Sequence, residues 1–203
     1  MKRLVIYSFT LFTFLLCSYT LYNSAPAPTR WIVMNGGSLR VKGTTNINTF
    51  NCDITGYSNP DTILVYKNQI QGGDLQLKGR IGLSVKLFDC HHAVMTADLR
   101  KTLKSKEFPQ LKINFINLER FPALSARESN IKGTVDIELA GKVKRFTVNY
   151  TLKLDNQRNI QMLGERDVNF SDFGLTPPRK LGGMIQTDNK LNVEFKLTLK
   201  PLT

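Results

Sequence analysis

The segment IKGTVDIELAGKVKRFTVNYTLKL, residues 131–154, alternates apolar with polar side chains along most of its length. Successive side chains of a β-strand point to opposite faces, so this alternation is typical of strands with one buried face and one face in water. Residues 140–142 interrupt the pattern with a short connection that suits an antiparallel hairpin. The segment therefore predicts two long antiparallel strands.

The same alternation occurs at residues 81–87 and 191–199, and it predicts two further amphipathic strands there. Weaker strand candidates lie at residues 38–41, 50–54, 62–66, 111–116 and 160–170. Short polar segments at residues 155–159 and 188–190 are predicted as connections, because parallel strands would need crossovers of about a dozen residues. Eight or nine strands in an antiparallel meander favour an all-β domain that buries one apolar face, as a closed barrel or as a sandwich.

One helix is predicted between residues 90 and 109, where the apolar period changes. Met95, Leu99 and Leu103 are spaced at i, i+4 and i+8, and Lys104 and Lys106 near the end suit a helix C-terminus.

The N-terminal segment predicts export. Lys2 and Arg3 precede a run without charge that continues to Arg30, as in a signal peptide or an uncleaved signal anchor. We assign residues 1–25 to this segment, residues 26–30 to a linker and residues 31–203 to one domain. Leu16 disfavours lipid attachment at Cys17. The domain is expected in the periplasm or outside the cell, and both interpretations of the N-terminal segment stay open.

Two cysteines, Cys52 and Cys90, lie in the exported part, and a pair in an oxidising compartment is more often a disulfide than two thiols. The net charge of +12 is spread along the chain rather than gathered in a nucleic-acid-binding patch, so nucleic acid is not expected as a partner. An anionic membrane surface fits the positive charge better and is considered as a partner. The oligomeric state is left open.

Three motifs are similar to those of the YceI family. Residues 43–52 (GTTNINTFNC) resemble the motif after that family's first strand. Residues 95–109, with the strand that follows, resemble its helix and its aromatic-proline pair, and residues 171–178 (SDFGLTPP) resemble its late Asp-Phe-Gly and Pro-Pro elements. The resemblance covers residues 31–203.

This resemblance implies a lipocalin-like antiparallel β-barrel with one short helix. It also implies an apolar interior for a polyisoprenoid, a quinone tail or a fatty-acid-like lipid, with no cofactor and no catalysis. The apolar residues of the firmest strands, with Phe173, are then the interior candidates for ligand contact: Leu83, Val85, Leu87, Val135, Ile137, Phe146, Val148, Tyr150, Phe173, Val193, Phe195 and Leu197.

Three other interpretations are weighed against this one. Cys90, His91 and His92 form a cluster that could ligate a metal, but neighbouring histidines point in different directions and no second cluster exists in the sequence. Asp172 with His91 or His92 could act as an acid/base pair in an enzyme. A ligand-free structural or stress-related barrel acting through its surface is the main alternative to a lipid-binding protein.

Overall fold

The structure is a computed structural model that describes residues 27–66 and 73–202. Apart from short 3₁₀ turns, these residues form one helix, α1 (Ala93–Thr102), and eleven strands. The strands are β1 (Thr29–Val33), β2 (Gly37–Thr45), β3 (Thr49–Tyr57), β4 (Thr62–Tyr66), β5 (Leu75–Ser84), β6 (Gln110–Leu118), β7 (Ser129–Leu139), β8 (Lys142–Leu154), β9 (Ile160–Asn169), β10 (Arg179–Lys180) and β11 (Ile185–Leu202).

Eight of these strands form a closed antiparallel barrel, in the order β1, β4, β5, β6, β7, β8, β9 and β11, with β11 pairing back to β1. β1 and β2 follow one another along the same edge of β11, and β3 pairs with the outer edge of β2. Closure pairs the edges that an open sheet would expose to other chains. The predicted all-β barrel of about eight strands with one short helix is confirmed.

The alternation of residues 131–154 produces the hairpin of β7 and β8. Eleven residue pairs join the two strands, from Ser129 opposite Leu152 to Leu139 opposite Lys142. Ala140 and Gly141 form the turn, both with positive φ, 50° and 76°. Positive φ at both central residues matches the right-handed twist of the flanking strands.

Two sequence predictions about the strands are wrong. Residues 188–190 are not a connection, because β11 continues through them, with a register shift between Thr187 and Leu191. The strand predicted to reach Leu87 ends at Ser84, and residues Val85–Leu87 form a 3₁₀ turn. A turn removes the strict alternation, so Leu87 is 58% exposed and not an interior residue.

The barrel has two distinct ends. α1, the β2–β3 and β7–β8 turns and the whole segment between β9 and β11 lie at one end, here called the helix end. Thr29, Tyr66 and Leu202 lie at the opposite end. The predicted signal segment, residues 1–25, is outside the described residues, and β1 already begins at Thr29 within the range assigned to the linker. Within the described ranges, no helix has the length and hydropathy needed to cross a membrane.

Candidate functional site

An apolar cavity of about 270 Å³, the outer cavity, lies at the helix end beside α1. Its wall is almost entirely apolar, and the residues come from β2, β3, α1 with its N-cap, the segment between β9 and β11, and the start of β11. They are Thr45, Phe50, Cys52, His92, Val94, Met95, Asp98, Leu99, Phe170, Pro178, Lys180, Ile185 and Thr187. Its volume lies just below the range of about 300–1,000 Å³ for small-molecule sites, and an apolar wall with a few polar groups is typical of such sites.

A smaller cavity of about 60 Å³, the inner cavity, lies inside the barrel below α1. It is lined only by apolar side chains, among them Val41, Ile113, Ile137 and Val193. Leu99 of α1 borders both cavities, so its side chain separates the outer space from the inner one. The two cavities together form a discontinuous path from the helix end into the barrel.

An aromatic layer lies deeper in the barrel, two residues farther along the strands than Ile113 and Val193 of the inner cavity. The Phe195 ring stands 6.2 Å from that of Phe115 and 5.9 Å from that of Tyr150, both edge to face. Glycines lie against these rings. A Cβ on Gly164 would lie 2.3 Å from the Phe195 ring, and one on Gly133 would lie 2.8 Å from the Tyr150 ring, so a larger residue would not fit at either position. Large rings therefore fill the barrel at this level.

Tyr150 carries a buried hydroxyl that has no hydrogen-bond partner among the described residues. Burial alone raises the pKa of this phenol far above its ordinary value. The hydroxyl is therefore protonated at every physiological pH, and it is a donor without an acceptor inside an apolar layer.

A disulfide and a helix cap hold the outer cavity. Cys52 of β3 is bonded to Cys90, three residues before α1, which confirms the predicted pair. The Met95 amide donates to the His92 ring, 3.4 Å away, at the start of α1, and the Cys90 amide donates to the Thr96 hydroxyl at 2.9 Å. These contacts fix the N-terminal half of the helix over the strands.

The predicted interior residues divide into three groups. Ile137, Phe173 and Val193 line the inner cavity. Leu87 is exposed, as described above. The others are buried in the core without lining either cavity: Leu83, Val85, Val135, Phe146, Val148, Tyr150, Phe195 and Leu197.

Sequence reasoning missed the lining of the outer cavity. Phe50 lies in a predicted strand, Met95 was assigned only to the helix, and Phe170 and Ile185 lie at the two ends of a long irregular connection. The signals in the sequence were the three family-like motifs: residues 43–52 contain Thr45, Phe50 and Cys52 of this lining, and the motifs at residues 95–109 and 171–178 contain Met95, Asp98, Leu99 and Pro178.

The candidate acid/base and metal groups are not brought together. His91 Nε2 lies 3.1 Å from the Asp53 carboxylate, whereas Asp172 accepts from the Asn169 amide and pairs with Lys144 at 3.2 Å. Burial acts to raise the pKa of Asp172, but the Asn169 amide and the Lys144 ammonium outweigh it and lower that pKa. Among the residues described, no three His, Cys, Asp or Glu side chains form a group that could hold a metal ion.

A polar cleft adjoins the outer cavity. It shares Asp98, Pro178 and Lys180 with that cavity, and it is also lined by Lys101, Lys104 and Arg179. The ion pair between Lys180 and Asp98 stands between the two spaces, with a shortest separation of 2.5 Å. The cleft places positive charge at the margin of the apolar cavity.

Comparison with known proteins finds likeness in structure. No protein-family model matches the sequence. No curated protein matches it either. Burkholderia cenocepacia BcnA superposes with a TM-score of 0.57 at 13% identity, over 80% of this chain and 95% of BcnA. A polyisoprenoid-binding domain from Saccharophagus degradans, implicated in plant cell wall breakdown, superposes with a TM-score of 0.57 at 8% identity, over 84% of this chain and 97% of that domain.

A Campylobacter jejuni YceI protein is more distant, with a TM-score of 0.46 at 12% identity over 69% of this chain and 81% of that protein. At these identities the likeness concerns the fold and not the ligand. The chain therefore shares its barrel fold with BcnA and with the Saccharophagus degradans domain, as the resemblance in its sequence motifs implies.

Proposed function

We propose that this protein binds one long apolar chain, of an isoprenoid, a quinone tail or a fatty-acid-like lipid, and that it sequesters or carries it without chemical change. The observation that carries the proposal is the outer cavity, whose wall is apolar and whose margin is polar. The Saccharophagus degradans domain with the same fold is a polyisoprenoid-binding domain, and this supports the same ligand class here.

The size of the cavity suits part of such a chain. A water-sized group occupies roughly 30 Å³ in a liquid, so 270 Å³ holds about nine such groups. At about 0.8 kcal/mol for each buried methylene, nine groups contribute about 7 kcal/mol. Estimates of the entropy cost of association range over about 4–15 kcal/mol, so the burial of nine groups offsets the lower part of that range. A longer chain would gain affinity by displacing Leu99 and entering the inner cavity.

We infer that the protein works outside the cytoplasm, in the periplasm or beyond the cell surface. The disulfide between Cys52 and Cys90 supports this location, because such bonds persist mainly in oxidising compartments. The predicted signal segment agrees with it, and either a cleaved or a retained segment would leave the barrel on the same side of the membrane.

One observation favours the alternative of a ligand-free barrel acting through its surface. Phe115, Tyr150 and Phe195 fill the middle of the barrel, and the inner cavity holds only about 60 Å³. A barrel filled by its own aromatic side chains needs no ligand for stability. The two functions differ in whether the native protein contains lipid.

Mass spectrometry of organic extracts from the native exported protein tests this difference. Thr187 lines the outer cavity, so Thr187→Trp should fill it. Thr147→Trp is the matched control, because Thr147 is an exposed strand residue on β8 that lines neither cavity. We expect stoichiometric lipid in the wild type and the control, and at least a fivefold loss in Thr187→Trp, with all three folded by circular dichroism.

Two results would contradict the proposal. Folded wild-type protein without lipid would support the surface-acting barrel instead. Equal lipid in all three proteins would show that the ligand does not occupy the outer cavity.

A further inference from the structure

Exposed apolar side chains are concentrated at the helix end. Of the eleven large apolar side chains that are exposed among the described residues, seven lie there. They are Ile47, Leu87, Val94, Phe108, Val143, Leu181 and Met184. Soluble proteins scatter such residues singly, and a concentration of them on one face marks an interaction site.

The most exposed part of this surface is the loop at residues 181–184, the apolar tip. Leu181 is 69% exposed and Met184 is 75% exposed, with Gly182 and Gly183 between them. Leu181 has φ of 50°, a left-handed conformation that is unfavourable for a branched residue and that glycine would adopt without strain. The local backbone thus does not favour leucine at this position, and burial does not require it either.

The apolar tip is held in place against the β2–β3 turn. The Asn46 side chain donates to the Met184 carbonyl at 2.8 Å and accepts from the Gln186 amide at 3.0 Å. Ile47, the next residue, is 69% exposed. Ile47, Leu181 and Met184 are therefore exposed on two joined segments next to the lining of the outer cavity, which includes Lys180 and Ile185.

Positive charge borders the same surface. Lys101 and Lys104 of the α1 region and Arg179 of β10 are exposed, and none of them forms an ion pair within the part of the chain that the structure describes. Exposed apolar side chains next to unpaired cations match the interface of an anionic lipid bilayer, where the former insert among the lipids and the latter meet the headgroups.

The undescribed segments of this chain attach elsewhere. Residues 1–26 join β1 and residues 67–72 join β4 to β5, and both junctions are at the opposite end.

We propose that the helix end docks on an anionic membrane surface, with the apolar tip and Ile47 inserted at the interface and Lys101, Lys104 and Arg179 on the headgroups. In this orientation the outer cavity opens toward the acyl chains, so that a lipid could pass between membrane and protein without crossing water. This inference adds a partner to the proposed ligand-binding function, and docking and ligand binding are measured separately.

Depth-dependent quenching of tryptophan fluorescence tests the docking. Met184→Trp places the probe in the apolar tip, and Leu202→Trp is the matched control at the opposite end, where the side chain is 42% exposed. Native Trp31 is buried and common to both proteins. Vesicles of equal parts phosphatidylglycerol and brominated phosphatidylcholine should quench the Met184→Trp protein at least twofold more than the control, and brominated phosphatidylcholine alone should quench neither.

A second pair of variants tests the charges. The triple variant Lys101→Gln, Lys104→Gln and Arg179→Gln should bind the anionic vesicles at least tenfold more weakly. Lys78→Gln, Lys132→Gln and Lys200→Gln, three exposed lysines outside the helix end, should leave the affinity unchanged.

Three results would overturn the proposal. These are quenching at position 202 that equals or exceeds that at position 184, equal quenching by neutral and anionic vesicles, and a dimer in light scattering without vesicles that Leu181→Ser with Met184→Ser abolishes. Lipid extraction from the same proteins shows separately whether the ligand-binding function holds.

Discussion

At the scale of single residues, the core around Phe195 is adapted to three large rings. Gly164 and Gly133 leave the space that the rings of Phe195 and Tyr150 occupy. The Tyr150 hydroxyl is the exception to this adaptation, because it is buried without a partner in the described part of the protein. An unpaired buried hydroxyl costs about 1–3 kcal/mol, and such groups are rare in native structures unless they have a use.

Tyr150→Phe should therefore raise the free energy of unfolding by about 1 kcal/mol, because it removes the unpaired hydroxyl and leaves the ring packing unchanged. Urea denaturation of lipid-free protein measures this difference. Tyr66→Phe, at a partly exposed position, is the control and should change stability by less than about 0.5 kcal/mol. A loss of stability in Tyr150→Phe would instead show that the hydroxyl has a bonding partner in solution, such as a buried water or the ligand.

Asp53 couples the stability of this region to pH. Burial acts to raise the pKa of its carboxyl, but hydrogen bonds from Arg40 at 2.7 Å and His91 at 3.1 Å outweigh burial, so the folded-state pKa is lowered. A lowered pKa contributes stability above the unfolded value of about 3.9, and that stability is lost as the pH falls through the folded value.

We expect Asp53→Asn to be less stable than the wild type by about 1 kcal/mol at pH 7, a modest value because Arg40 is half exposed. The difference should shrink as the pH falls below about 3.9, the unfolded-state pKa, because the wild-type carboxylate is then progressively protonated. Thermal unfolding at a series of pH values measures it. A gap that stays constant down to pH 2 would mean that the carboxylate charge is not the source of the stability.

At the scale of elements, α1 is the least integrated part of the barrel, because it pairs with no strand. It is held by the disulfide before its first turn, by the Arg100 guanidinium on the Phe88 carbonyl at 2.7 Å, and by Leu99 on the core. The disulfide, together with the backbone pair of Asp53 and Asp89, thus positions the N-terminal half of the helix on β3.

Reduction of the disulfide should lower the free energy of unfolding by about 4 kcal/mol, since the bond closes a loop of 38 residues. It should also release ligand, because Cys52 and α1 both line the outer cavity. Calorimetry and lipid extraction with and without reductant measure the two effects. The Cys52→Ala, Cys90→Ala double variant is the control and should not respond to reductant; an equal response there would assign the effect to something other than this bond.

At the scale of the whole molecule, two cavities lie in line from the helix end to the aromatic layer, and Leu99 separates them. We expect the depth of the aromatic layer and the position of Leu99 to set the length of chain that the protein can hold. This geometry predicts a protein that holds the terminal part of a long chain and leaves the rest at the margin.

Leu99→Ala should join the two cavities. We expect extracts of this variant to contain longer chains or more lipid per protein than the wild type, with a loss of stability of about 2–5 kcal/mol. Leu103→Ala is the matched control, because Leu103 is buried like Leu99 but lines only the inner cavity. Mass spectrometry of the two extracts measures the difference. Identical lipid profiles in the two variants would show that Leu99 does not limit the bound chain.

Much of this architecture was readable in the sequence. Alternation predicted the hairpin of β7 and β8 and most of β11, the spacing of Met95, Leu99 and Leu103 predicted α1, and two cysteines predicted the disulfide. Alternation and spacing are local properties of the chain, and the disulfide follows from the number of cysteines in the exported part. These predictions therefore need no knowledge of which segments pack against each other. Residues 188–190 had the composition of a turn, but the pairing of Thr187 with β2 and of Lys190 with β9 keeps the chain extended there.

Only the tertiary structure decided where the apolar side chains leave space. Phe195 and Val193 belong to the same alternating strand, yet Phe195 fills the barrel and Val193 lines the inner cavity. The outer cavity joins Phe50, Met95, Phe170 and Ile185 from segments far apart in the chain. Alternation records which face of a strand is buried, whereas a cavity forms where side chains from distant segments fail to fill the volume between them, and that depends on how the whole barrel closes.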